Sequence, residues 1–326
     1  MSARATRSLR LIDRPAAVER AAYDRALGDA TRLLQAQPGI AAVYQIGGVS
    51  APGISDLDMV AVFEDDAVCT ARPSAAVRAA CPYLYIHNLY GASRSHFERA
   101  QSLSFFHNYR LLAGDDARTG TDALSPEATA HLKRQIALEY LVKLYVAVEL
   151  QRAYGALQVR SFLLHVKAVL YDLDFLDVHD GEFRDRTERF VGWRNVWFEA
   201  PPSSADYAAA FEAYGRALAA FLAEQVQQHP FYLPGPAPYR VARNLWLRPG
   251  RALTSRRRGV RLPAALARLG KRYVRLSNRL NRFDFTVPAA SGPPPPALAE
   301  RFALVRAMDA HNRVALPGFD PLTSSL

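Results

Sequence analysis

Cysteine is scarce in this chain of 326 residues: Cys69 and Cys81 are the only two. They stand too far apart for a CxxC pair, which excludes a disulfide framework and a cysteine-built zinc site. No apolar run approaches the roughly 18 residues of a bilayer-spanning helix. The stretch Met1 to Arg14 carries charge but lacks the apolar core of a secretory signal. A cytoplasmic protein, with peripheral membrane contact as its only route to a bilayer, is the expectation. Neither a GxxxxGK phosphate loop nor a GxGxxG dinucleotide fingerprint occurs. Ser50 has GxSxxG spacing, which is not the GxSxG elbow of a hydrolase. A composition 50% hydrophobic and 22% charged suits a folded protein of about two domains.

Acidic residues are missing altogether from one segment. Between Arg240 and Phe283 there are 14 basic residues and no acid, so the remainder holds 27 basic against 31 acidic residues. The formal charge of +10 therefore belongs to one stretch appended to a mildly acidic body. Within it Leu262, Leu266, Leu269, Tyr273, Leu276, Leu280 and Phe283 alternate spacings of four and three, the seam of an amphipathic helix with arginines off the seam. Such a helix can pack its seam and display the arginines, lie on an anionic membrane surface, or contact nucleic-acid phosphates.

The rest of the chain separates by period. Asp13 and Pro15 read as a helix start, Pro38 and Gly39 as its stop. Ile40 to Ile46 and Leu57 to Phe63 read as strands, Ser74 to Ala80 as a helix, and Tyr83 to Leu89 as a third strand. Ser125, Pro126 and Glu127 open a long helical pattern. The expected fold is α+β: a small mixed-sheet domain over 1–122, a helical domain over 123–235, an arginine-rich segment with an amphipathic helix over 236–290, and a Pro-rich, extended or loosely docked tail over 291–326. Asp172, Asp174, Asp177 and Asp180 with His179 read as a solvated helix end, and Trp193 with Trp197 as helix packing.

The chemistry concentrates between Ile46 and Val60. Gly47 and Gly48 end one strand and can let backbone N–H groups approach a phosphate. Ser55, Asp56, Leu57 and Asp58 follow, and the period of two places both carboxylates on one face at the head of the next strand. Paired carboxylates with room for substrate phosphates suit Mg2+. The pattern Ile46, Gly47, Gly48, then Ser55, Asp56, Leu57, Asp58 and Met59 resembles the nucleotidyltransferase superfamily (DNA polymerase beta-like). Arg110 to Asp116 followed by helices is similar to the layout of its small-molecule adenylyltransferases. The resemblance implies that Asp56 and Asp58 hold Mg2+, that Gly47, Gly48, Ser50 and Ser55 line the nucleoside triphosphate site, and that a nucleoside monophosphate such as AMP moves to an acceptor hydroxyl. Members of the family usually take a third acid from a later strand. Tyr83 to Leu89 contains none, which leaves His87 as the candidate base or ligand, with Asp115 or Asp116 as substitutes. The alternative is a catalytically impaired nucleotide-binding protein, or an adaptor that meets a membrane or nucleic acid through Arg240–Arg282.

Overall fold

The computed structural model describes residues 9–104, 108–119 and 124–322. The first eight residues, the expected boundary at 122–123 and the last four positions of the tail lie outside them. In chain order, the first elements are β1 (Arg10–Ile12), α1 (Arg20–Gln35), β2 (Ile40–Ile46), β3 (Asp58–Phe63), α2 (Pro73–Ala80) and β4 (Tyr90–Ser93). Next come α3 (Arg94–Ser104), β5 (Tyr109–Gly114), α4 (Pro126–Tyr154), β6 (Ala156–Gln158), α5 (Val159–Val166) and α6 (Ala168–Phe175). The chain continues with α7 (Glu182–Asn195), α8 (Ser204–Gln228), β7 (Tyr239–Ala242), β8 (Leu245–Gly250) and β9 (Thr254–Gly259). A 3-10 turn (Ala264–Leu269), α9 (Lys271–Leu280), β10 (Asn281–Pro288), α10 (Pro296–Val314) and β11 (Asp320–Pro321) complete it. The fold is α+β. It divides into two compact units, Ala17–Leu132 with Pro294–Ser325, and Met1–Ala16 with Lys133–Pro293.

The first unit is built on a mixed sheet in the order β11-β4-β3-β2-β5. β3 runs parallel to β4, and β2 runs antiparallel to both β3 and β5. β2 and β3 are nearly unbroken apolar runs because both faces of the sheet are covered. On one face Val43, Met59, Ala61 and Phe63 pack with Leu34 of α1 and Leu316 beyond α10. Full burial of each large side chain contributes about 1.5–3 kcal/mol. On the other face Tyr44 stacks on Phe97 of α3, with ring centroids 5.1 Å apart.

Three expectations change here. The first helix begins at Arg20, while Asp13 has φ of 50° and pairs with Lys271. Tyr83 to Leu89 forms no strand; Leu84, Tyr85 and Leu89 reach the core from a turn, and the strand follows at Tyr90–Ser93. Burial of those apolar residues is satisfied without a ladder, because the Leu57 N–H donates to the Leu84 carbonyl (2.9 Å) and the Tyr85 hydroxyl to the Ala26 carbonyl (3.0 Å). The tail is neither extended nor loose. Pro296 opens α10, where its missing N–H costs nothing, and Leu298, Phe302, Leu304 and Met308 are buried.

The second unit contains α4 from Lys133 onward and all of α5 to α8, around an aromatic cluster. The Phe162 ring lies 4.9 Å from Phe190, 5.0 Å from Phe211 and 5.2 Å from Tyr214. Such pairs add about 0.5–1.5 kcal/mol each beyond burial. Trp193 stacks on Tyr207, a packing role as its sequence context suggests. Asp172 departs from its expected place on a solvated helix end: it is buried, while Asp174 stays at the surface paired with Arg184.

The arginine-rich segment contains a four-stranded sheet, in the order β7-β8-β10-β9, as well as α9. Strand alternation sends Leu245, Leu247, Phe283, Phe285 and Val287 inward and Arg240, Arg248, Arg256, Arg258 and Arg282 outward. Arg258 stands directly across from Arg282, a like-charge pair. Arg282 relieves it by stacking 3.6 Å from the Trp246 ring centroid. The seam predicted over Leu262 to Phe283 is therefore not one helix. Gly270 interrupts it at φ of +57°, a conformation that a side chain disfavours, and Phe283 belongs to β10.

Candidate metal and nucleotide site

β2 and β3 are antiparallel neighbours, so the end of one and the head of the other lie side by side. Ile46 sits opposite Asp58. Gly47 turns the chain at φ of +65°, and its N–H donates to the Asn108 carbonyl (2.9 Å). A side chain at either Gly47 or Gly48 would meet no atom within 4 Å, so the turn is an open, bare backbone edge.

The loop from Val49 to Leu57 is held from beneath by Tyr23. Its hydroxyl donates to the Ser55 carbonyl (2.8 Å) and accepts from the Gly53 N–H (2.8 Å). Ser55 itself is buried, and its Oγ accepts from the Ala51 N–H (3.2 Å). Ser55, expected at the triphosphate site, here braces the loop with its side chain. Ser50 lies exposed on the same loop.

Asp56, Asp58 and His87 converge, each offering one ligand atom within 4.8 Å of the others. His87 Nε2 is 2.6 Å from Asp58 Oδ1, and Nδ1 is 2.5 Å from the Asn88 carbonyl oxygen. A carbonyl only accepts, so Nδ1 carries a proton. Burial works against charging the ring, but the Asp58 hydrogen bond and charge outweigh it and raise His87 from 6.5 to about 9. Near neutral pH the ring is an imidazolium donating from both nitrogens. Loss of the Nε2 proton leaves a lone pair aimed at the carboxylates, with the tautomer fixed by Asn88.

Tyr90 and Asp320 were not legible as site residues. Tyr90 pairs with Val60 in the sheet, and its ring lies 5.2 Å from that of His87. Burial, then the charges of Asp58, Asp56 and Asp320, hold its phenol above the usual range. Asp320 reaches this neighbourhood because β11 pairs with β4, and its Oδ1 accepts from Asn88 Nδ2 (2.9 Å). The chain separation between Asn88 and Asp320 leaves no local signal. Arg110 hydrogen-bonds Gln45 (2.6 Å) on the neighbouring strand. Asp116 does not fold back to the cluster: it accepts from Arg118, which holds its carboxyl well below the usual carboxylate range, and from Tyr44.

The donor set of two carboxylates and one imidazole fits a divalent cation. An α+β unit with such a cluster beside a bare glycine turn defines a candidate metal site. Comparison of the chain with protein-family models, curated proteins and solved structures finds no match in any of the three.

Proposed function

We propose that the protein is a cytoplasmic Mg2+-dependent nucleotidyltransferase that moves a nucleoside monophosphate, AMP in the first instance, from a nucleoside triphosphate to an acceptor hydroxyl. The observation that carries this reading is the meeting of Asp56 and Asp58 with the open turn at Gly47 and Gly48. Asp56 and Asp58 would hold the cation, which when bound neutralises triphosphate charge. The N–H groups at Gly48 and along the loop through Ser50 would receive phosphate oxygens. In the transfer, an acceptor oxygen bonds to the α-phosphorus, the bond to the β-phosphate oxygen breaks, and pyrophosphate leaves. The acceptor's proton goes to His87 Nε2. That step needs the neutral ring, and a cation held by Asp56 and Asp58 would weaken the pairing that keeps His87 charged, leaving its Nε2 to take the proton and not to ligate.

Titration calorimetry with ATP and Mg2+ tests the binding, and a pyrophosphate-release screen over hydroxyl acceptors tests the transfer. Asp58→Asn is expected to lower Mg2+-dependent nucleotide affinity at least about tenfold, as expected for losing one charged ligand. Absence of triphosphate binding, or binding indifferent to Asp58→Asn, refutes the reading. Nucleotide binding with no pyrophosphate from any acceptor supports instead a nucleotide-binding protein without turnover, a reading favoured by a cluster that, among the described residues, joins Asp56 and Asp58 to an imidazole and not to a third carboxylate.

A further inference from the structure

The short helix α9 faces the opposite way from its leucine pattern. Tyr273 and Ser277 point inward, at 2% and 1% exposure, and the Tyr273 hydroxyl donates to the Tyr154 carbonyl (2.7 Å). Leu276 and Leu280 are consequently left at the surface, 40% and 39% exposed, with Leu269 at 48% and Val260 at 57%. Val260 and Leu280 adjoin, because the Val260 N–H donates to the Leu280 carbonyl (3.3 Å). Arg272, Arg275 and Arg279 share the exposed face with Leu276, at the i, i+3, i+4 and i+7 positions of one helical stripe. Arg261 and Arg268 are exposed just before it.

Among the described residues no acidic side chain pairs with Arg272, Arg275 or Arg279. The segment from Arg240 to Phe283 has no acid. Asp13 is engaged with Lys271 (3.0 Å), and Asp284 with Arg248 (3.4 Å) and Arg258 (3.9 Å). A solvated basic face needs no aliphatic side chains, and nucleic-acid phosphates offer guanidinium groups a partner but leucine none. A bilayer boundary with anionic headgroups accommodates both, since leucines enter the acyl edge while arginines stay at headgroup level. No helix among the described residues is long and apolar enough to cross a membrane, so contact would lie in the plane of the surface. We propose that α9, with Leu269 and Val260, docks the protein on an anionic lipid bilayer. The inference is independent of the nucleotide site.

Sedimentation of the full chain with vesicles of phosphatidylcholine plus phosphatidylglycerol, and of phosphatidylcholine alone, tests it. Binding is expected only where phosphatidylglycerol is present. Replacing Arg272, Arg275 and Arg279 together by Gln is expected to weaken partitioning about a hundredfold, at roughly fivefold per arginine. Leu276→Ser with Leu280→Ser is expected to weaken it at least about tenfold through lost apolar burial. Phe198→Ser, at an exposed apolar position outside the segment, should change nothing, and unaltered circular dichroism of each variant separates docking from folding. Equal binding to both vesicle types, or unchanged binding by the leucine variant, overturns the proposal. So does a single-stranded RNA complex that survives the leucine substitutions in a protein that ignores vesicles.

Discussion

The bond between His87 and Asp58 makes stability depend on pH in a direction that can be fixed in advance. His87 titrates near 6.5 when unfolded and at about 9 in the folded protein. A raised folded value means that folding favours the imidazolium, so the contribution is complete below the unfolded value and disappears as pH climbs through the folded one. At 1.36 kcal/mol per unit the span corresponds to about 3 kcal/mol at most. Both side chains are 33% exposed. Solvent screening therefore reduces the expected contribution to about 1–2 kcal/mol. Urea unfolding with chelator present, at several pH values from slightly acid to above the folded value, measures it. His87→Gln should be less stable than the native chain at the acid end, and the gap should close as pH rises. Subtracting the two curves cancels every other titrating group. Asp58→Asn should remove the same pH-dependent component, because His87 then keeps its burial and loses its partner. A gap independent of pH, or one that widens with pH, refutes the assignment of a charged His87 held by Asp58.

Other expectations concern the scaffold. Gly114→Ala would put a methyl group 2.1 Å from the Ala41 carbonyl oxygen at φ of +80°, and should destabilise the first unit by about 2 kcal/mol or more in denaturant melts. Leu316→Ala, at a site with no exposure in the core beneath β2 and β3, should cost about 2–5 kcal/mol if the C-terminal segment is integral to that core; a loosely docked tail would show almost no change. Asp172 is buried, its Oδ2 has no hydrogen-bond partner, and burial pushes its carboxyl well above the usual range. Folding penalises its ionised form, so stability should rise as pH falls toward the unfolded carboxylate value. Asp172→Asn should raise the melting temperature at neutral pH by the equivalent of about 1–3 kcal/mol. A lower melting temperature would point to a role for that charge in the helical unit.

Local chemistry made a good part of the first unit and its candidate site readable. β2 and β3 coincide closely with their apolar runs because both faces of a central sheet demand them. Asp56 lies in the loop just before β3 and Asp58 at the strand's head, and their two-residue spacing still brings the carboxylates together. His87 could be named only as a candidate, since its approach to Asp58 depends on a turn that Leu84 and Tyr85 stabilise by burial, not on a strand. At Ser55 the motif position alone suggested a ligand contact, and only the structure shows its bonds to Ala51 and Tyr23, which brace the loop.

The sequence by itself determined the confinement of positive charge to Arg240–Phe283, the pairing of two aspartates behind a glycine turn, and the α+β alternation. These follow from composition and from periods of two and 3.6, which act over neighbouring residues. Only the tertiary structure decided that Pro294–Ser325 returns to the first unit, that Asp320 arrives beside Asn88 through β11, and that Asp172 is buried. The orientation of α9 belongs with them. Its heptad spacing is compatible with leucines in or out, and Tyr273, anchored on Tyr154, turned them to the surface beside the arginines. A helix period fixes which side chains stand together, while the partner that buries one stripe fixes which stripe is left to solvent.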